Sequence, residues 1–187
     1  TGNPRMMSTR EIRTPNDLRS AHPWQWRDDM ILPALYAEAG ATGVPLQVPE
    51  VLSAIQTNRV DTVVASPLVG VSLQWASNMR YISDNSATSS LAAILVSRTQ
   101  LESVPADQQA LFREVWTQFG TLLSTNVGRA DAAALTSLTG RGMTVVTLTP
   151  AERAQWNDLF TRARRRLVGT VADAAWFARV EAAGRGR

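Results

Sequence analysis

Through its first hundred residues the chain alternates short β-branched runs with helical stripes, and few folds accommodate that rhythm. Strand-length apolar segments fall at 44–48, 60–65, 79–82 and 90–96. Between them lie stretches with 3.6-residue spacing: Ile31, Leu32, Leu35 and Ala39, then Val51, Leu52 and Ile55. The punctuation agrees with the spacing. Thr14-Pro15 places a helix N-cap before a proline at the first helical position, Gly40 suits a left-handed helix end, and Pro49 and Pro67 each open a further helix. The last of these is expected to run through Gln74 and Trp75. The largely apolar, β-branched run at 60–65 reads as a parallel strand covered on both faces. Strands alternating with helices imply an α/β fold built on mainly parallel sheets.

From Pro105 the rhythm changes. Leu111, Val115, Phe119 and Leu122 recur at helical spacing and the register continues to Leu138, which predicts one long helix, weakened at Gly120 and Gly128. Gly140 to Gly142 end it, 143–148 reads as a strand, and Thr149-Pro150-Ala-Glu152 is a capping box with proline at the first position. Helices over 151–168 and 171–183 complete the chain.

Several chemistries are excluded by what the chain lacks. It has no cysteine, which removes disulfides, thiolate metal sites and cysteine nucleophiles together. The single histidine, His22, precedes a proline and has no partner at a diagnostic spacing, so it reads as a surface or packing residue. Gly40-Ala-Thr-Gly43 is too short for a phosphate loop and lacks its lysine. All 19 basic residues are arginines, and seven of them fall in residues 162–187. The remaining 161 residues hold 12 arginines against 14 acids, so no basic face tracks a nucleic-acid backbone. The long uncharged runs, 62–78 and 85–97, are broken by polar residues and do not read as membrane spans. Residues 1–16 hold no apolar core of a signal peptide.

Six tryptophans are the more telling feature. Trp116, Trp156 and Trp176 lie within helical stripes and are expected in the core. Trp24 and Trp26 flank Gln25 in an irregular segment, and Trp75 follows Gln74 at a predicted helix end. Aromatic residues crowded into such segments line pockets as readily as they cap cores.

Read in order, Arg10-Glu-Ile-Arg-Thr-Pro-Asn-Asp-Leu-Arg19, then Glu50-Val-Leu-Ser-Ala-Ile-Gln-Thr-Asn58 with Val60-Asp61, resemble the solute-binding proteins of TRAP transporters. The family spells these segments I-x-T-P-x-D-L-(K/R)-G and E-V-Y-x-A-L-Q-x-G-x-V-D-G. The likeness continues through Ser66-Pro-Leu-Val-Gly-Val-Ser-Leu-Gln-Trp75, Val104-Pro-Ala-Asp-Gln-Gln109 and the segment 145–152, close to the family's L-T-P-E-E. The resemblance implies a two-lobed, type II periplasmic-binding-protein-like α/β receptor with hinge strands and a long C-terminal helix. On that resemblance it would be a receptor and not an enzyme, with no cofactor. Its solute would pass to the membrane subunits of a TRAP-type transporter. On that pattern residues 1–13 and 89–98 are hinge strands and 14–88 form the second lobe. Residues 99–187 supply the long helix, a strand and terminal helices that pack on the first lobe. Family members are longer and begin with the first lobe, so the resemblance also implies an N-terminal segment, or a separate chain, beyond this sequence. A periplasmic location follows, with any membrane anchor in that missing part.

The sequence departs from the family where the ligand would bind. The arginine of the family's G-x-K-I-R segment, which pairs with a substrate carboxylate, falls here on Trp24 or Gln25. A hydrogen bond to a charged group contributes roughly 1.5–3 kcal/mol, and an unpaired buried carboxylate costs about 3–5 kcal/mol. Loss of the arginine therefore points to a neutral or largely apolar ligand held by Trp24, Gln25, Trp26, Arg27, Ser66, Leu68, Gln74 and Trp75. The acid that binds metal in some members is also missing, since Val63, Val64 and Ala65 stand there, and no metal is expected. Two other readings remain open: an organic-acid receptor in which Arg27 replaces the lost arginine, and a periplasmic adaptor that binds another protein through the two loop tryptophans.

Overall fold

The computed structural model describes residues 2–84 and 93–185. In chain order the elements are β1 (Arg5–Ser8), a 3-10 helix (Pro15–Ser20), β2 (Trp24–Trp26), α1 (Ile31–Ala39), β3 (Val44–Leu46), α2 (Val48–Gln56) and β4 (Thr62–Ala65). Then come α3 (Pro67–Ser72), a second 3-10 helix (Trp75–Asn78), β5 (Tyr81–Ser83), α4 (Arg98–Glu102), α5 (Ala106–Gly140), β6 (Thr144–Val146), α6 (Pro150–Leu167) and α7 (Ala174–Arg185).

Local chemistry fixes most of these ends. The Asp17 carboxylate accepts the backbone N–H of Thr14 at 2.7 Å and of Arg13 at 2.9 Å, closing the predicted cap ahead of the first 3-10 helix. Glu152 does the same for Thr149 at the start of α6. Gly40 ends α1 at φ 74°, a left-handed conformation that glycine adopts without strain.

Four strands pair in the order β4-β1-β5-β6, and β2 pairs with β3 alongside, linked to β4 by a parallel bridge from Pro23 to Thr62. β4, β5 and β6 run in one direction, and β1 lies antiparallel between β4 and β5. The segment 60–65, expected to pair in parallel, is therefore a correction: all four residues of β4 are buried, but its sheet partner runs the opposite way. A largely apolar run reports that both faces are covered and carries no information on strand direction.

Alternation along these strands divides the interior into two cores. Met7, Val63 and Ile82 turn to one face, where they meet Val51, Ile55, Trp75, Leu138 and Met143. Met6 and Val64 turn to the other and meet Leu18, Leu35, Tyr36, Trp156 and Leu159. α6 lies along α1, and α3 packs on α5.

Three further expectations are corrected. The helix from Pro67 stops at Ser72, because Gln74 takes a left-handed conformation at φ 60° and Trp75 starts a separate 3-10 turn. Of the predicted strand at 90–96, the part through residue 92 lies outside the described residues; 93–97 has no regular structure, and Leu95 is 87% exposed. Trp156 is in the core, but Trp116 and Trp176 stand 37% and 50% exposed. A helical stripe shows that a face seeks a partner without showing that the chain supplies one.

Candidate ligand-binding cleft

At the end of the sheet where β4 leads into α3, the chain leaves a cleft of about 810 Å³. Its walls come from β2, the start of α1, the end of β4, α3, Trp75 and the middle of α5. β2 is three residues long, so Trp24 and Trp26 project to one side and Gln25 to the other. Trp24 forms the inner wall, with its indole N–H on the Leu46 carbonyl at 3.1 Å and its ring edge-to-face with Trp75 at 5.0 Å between centroids. Both rings are buried, so they form the cleft's floor and at the same time part of the core. Trp26 stands at the rim, half-exposed, with its indole N–H donated to Gln47 Oε1 at 2.8 Å.

The structure brings Trp24, Trp26, Ser66, Leu68 and Trp75 together on the cleft. It leaves out the other three predicted ligand residues. Gln25 turns towards Gly43, where an added Cβ would meet its Oε1 at 2.5 Å, which explains the glycine. Arg27 points outward and pairs with Glu50 at 3.3 Å, both side chains exposed. Gln74 belongs to a separate depression on the other side of α3. The Ser66 hydroxyl is already engaged, accepting the Val69 N–H at 3.3 Å as the N-cap of α3.

Two acidic residues that hold or line the cleft were not among the contacts expected from sequence. Asp131 of α5 is buried and accepts the backbone N–H of Leu68 and of Asn3, each at 3.0 Å. It ties the long helix to the first turn of α3 and to the segment leading into β1. Its signal was present: Asp131, Leu135 and Leu138 follow helical spacing, which places an acid on the buried stripe. Asp29 lines the cleft ahead of α1, with Oδ1 accepting the Ile31 N–H at 2.7 Å. Among the described residues it is the one charged side chain on the cleft, and no arginine lines it.

Below the cleft the charges are internally paired. Asp61 accepts Arg10 at 2.6 Å, the His22 N–H at 2.8 Å and the Thr62 hydroxyl at 2.9 Å. Burial pushes its carboxyl up, and these bonds outweigh that and hold it below the usual carboxylate range. Arg13 forks onto Glu152 at 2.7 and 2.9 Å; those bonds, with that from the Thr149 backbone, bring the Glu152 carboxyl down to about 2. None of these arginines is free for an acidic ligand.

Residues 1–168 match the family described as bacterial extracellular solute-binding protein, family 7, also called DctP, and the chain belongs to that TRAP solute-binding family. Similar solved structures include a TRAP periplasmic solute-binding protein from Sulfitobacter sp. NAS-14.1 with bound β-D-galacturonate, 16% identical with a TM-score of 0.77. The match covers 90% of this chain and 56% of that one. A counterpart from Shewanella oneidensis with bound succinate is 18% identical with a TM-score of 0.74, covering 88% and 54%. Another from Desulfovibrio salexigens with bound orotic acid is 20% identical with a TM-score of 0.72, covering 99% and 57%. At these identities the likeness shows the type II binding-protein fold. The chain thus spans little more than half the length of these structures. No curated protein sequence matches it.

Proposed function

We propose that this chain forms the ligand-contacting lobe of a periplasmic TRAP-type receptor that captures a small, neutral or largely apolar solute. One observation carries the reading. Three indoles and the aliphatic side chains of α1 and α3 gather on a cleft of about 810 Å³ that, among the described residues, no arginine enters. Such a surface rewards shape and ring area. The similar structures hold galacturonate, succinate and orotic acid, so an organic acid is the competing guest. The reading in which Arg27 takes the acid is disfavoured by its outward pairing with Glu50. Trp24, Trp26, Ser66, Leu68 and Trp75 are the proposed contacts. Capture would proceed by closure of this lobe against the polypeptide that corresponds to the unmatched part of the relatives, with flexing near residues 10–13, before transfer to the membrane subunits; the part of the expected 89–98 hinge through residue 92 lies outside the described residues.

The test is direct. Denaturing the purified protein and analysing what it releases by mass spectrometry should yield a largely apolar molecule without a carboxylate that, returned to the protein, raises its melting temperature. Recovery of a simple dicarboxylate, bound equally well after Trp26→Ala, would contradict the proposal. Co-purification of a protein partner with indifference to every small molecule would favour an adaptor.

A further inference from the structure

The cleft has a polarity of its own, and it is negative. Asp29 lines it beside the indoles of Trp24, Trp26 and Trp75. One carboxylate oxygen accepts the Ile31 N–H at 2.7 Å, and among the described residues no cation forms an ion pair with Asp29. The adjacent arginine is committed elsewhere, since Arg27 pairs with Glu50. The charge is felt beneath the floor. The buried Tyr36 hydroxyl, which donates to the Trp24 carbonyl at 3.0 Å, is held above its ordinary value first by burial and then by the field of Asp29.

Aromatic faces beside an unpaired carboxylate make a particular chemical request. The indole face is electron-rich and attracts a cation lying over it, and a carboxylate adds direct attraction. An acidic guest at the same place meets a like charge instead. We infer that the polar end of the guest is a cationic nitrogen, a protonated amine or quaternary ammonium, seated between Asp29 and the tryptophan faces. This inference rests on the receptor reading above and names the class of its largely apolar solute. In it Trp26 supplies the accessible ring, because it lines the cleft half-exposed while its indole N–H is held by Gln47.

Two probes of one shape isolate the charge: choline and 3,3-dimethylbutan-1-ol differ by nitrogen in place of carbon. The full chain is titrated with each, and with succinate, by calorimetry. Choline should bind at least about tenfold more tightly than the alcohol, as a desolvated cation–π contact allows. The Asp29→Asn variant keeps an acceptor for the Ile31 N–H, and in it the ratio should fall to within about threefold while affinity for the alcohol holds. Trp26→Leu should weaken choline more than the alcohol. Equal affinities in the unaltered protein would overturn the cation proposal and leave the receptor reading standing. Tighter binding of succinate than of either would overturn both. Failure of all three to bind would overturn the cation proposal, and the molecule released on denaturation would then judge the receptor reading alone.

Discussion

Two tryptophans separated by one residue do different work, and the difference sets what substitution does to each. Trp24 is buried in the sheet's larger core, hydrogen-bonded to Leu46 and in contact with Trp75. Trp24→Ala should cost about 3–5 kcal/mol in urea unfolding, through a cavity and an unsatisfied carbonyl. Trp26 is half-exposed, so Trp26→Ala should shift stability by less than about 0.5 kcal/mol and weaken ligand binding instead. Asp131→Ala leaves the Leu68 and Asn3 amides without their acceptor and should cost about 1–3 kcal/mol, read by the same method. Glu152 supplies a pH signature. Its carboxyl is lowered from 4.5 to about 2. Its contribution is therefore complete above about pH 4.5 and is lost as the pH falls towards 2. A Glu152→Gln variant should be less stable than the parent by a constant margin near neutrality, with the two curves converging below pH 4.5. At this scale the sequence shows the alternation of Trp24, Gln25 and Trp26 but not the fate of Arg27. Its partner, Glu50, lies 23 residues away and only the fold brings it near.

Elements were legible wherever their ends are set locally. The caps at Thr14 and Thr149 and the stop at Gly40 depend on residues within a few positions, and each appears where the spacing places it. Strand direction is a long-range property, which is why β4 could be read as a strand and not as the antiparallel neighbour of β1. Gln74 gave no warning either, since nothing in Ser-Leu-Gln-Trp marks a left-handed residue. The long helix was read correctly in extent, yet its first half keeps Leu111, Val115, Trp116, Phe119 and Leu122 exposed. A contiguous apolar face of this kind marks an interaction or association surface. Because those side chains bury little here, Trp116→Ser with Phe119→Ser should leave the urea midpoint nearly unchanged. The same pair should lower binding of a hydrophobic dye. A large loss of stability would show that the face is buried within this chain.

For the molecule as a whole, the order of segments was sufficient to place the chain in its family, because each motif reports a local structural need and their sequence reports the topology. The cleft was only half legible. Five of eight expected contacts converge on it, while a strand's alternation, an outward ion pair and a broken helix take the other three away. Its walls carry indoles, aliphatic side chains and, among the described residues, a single carboxylate. Titration of tryptophan emission with succinate bears most directly on the claim that this cleft does not recognise its guest through a guanidinium. The account predicts no saturable change up to millimolar concentration, and saturation in the micromolar range would contradict it.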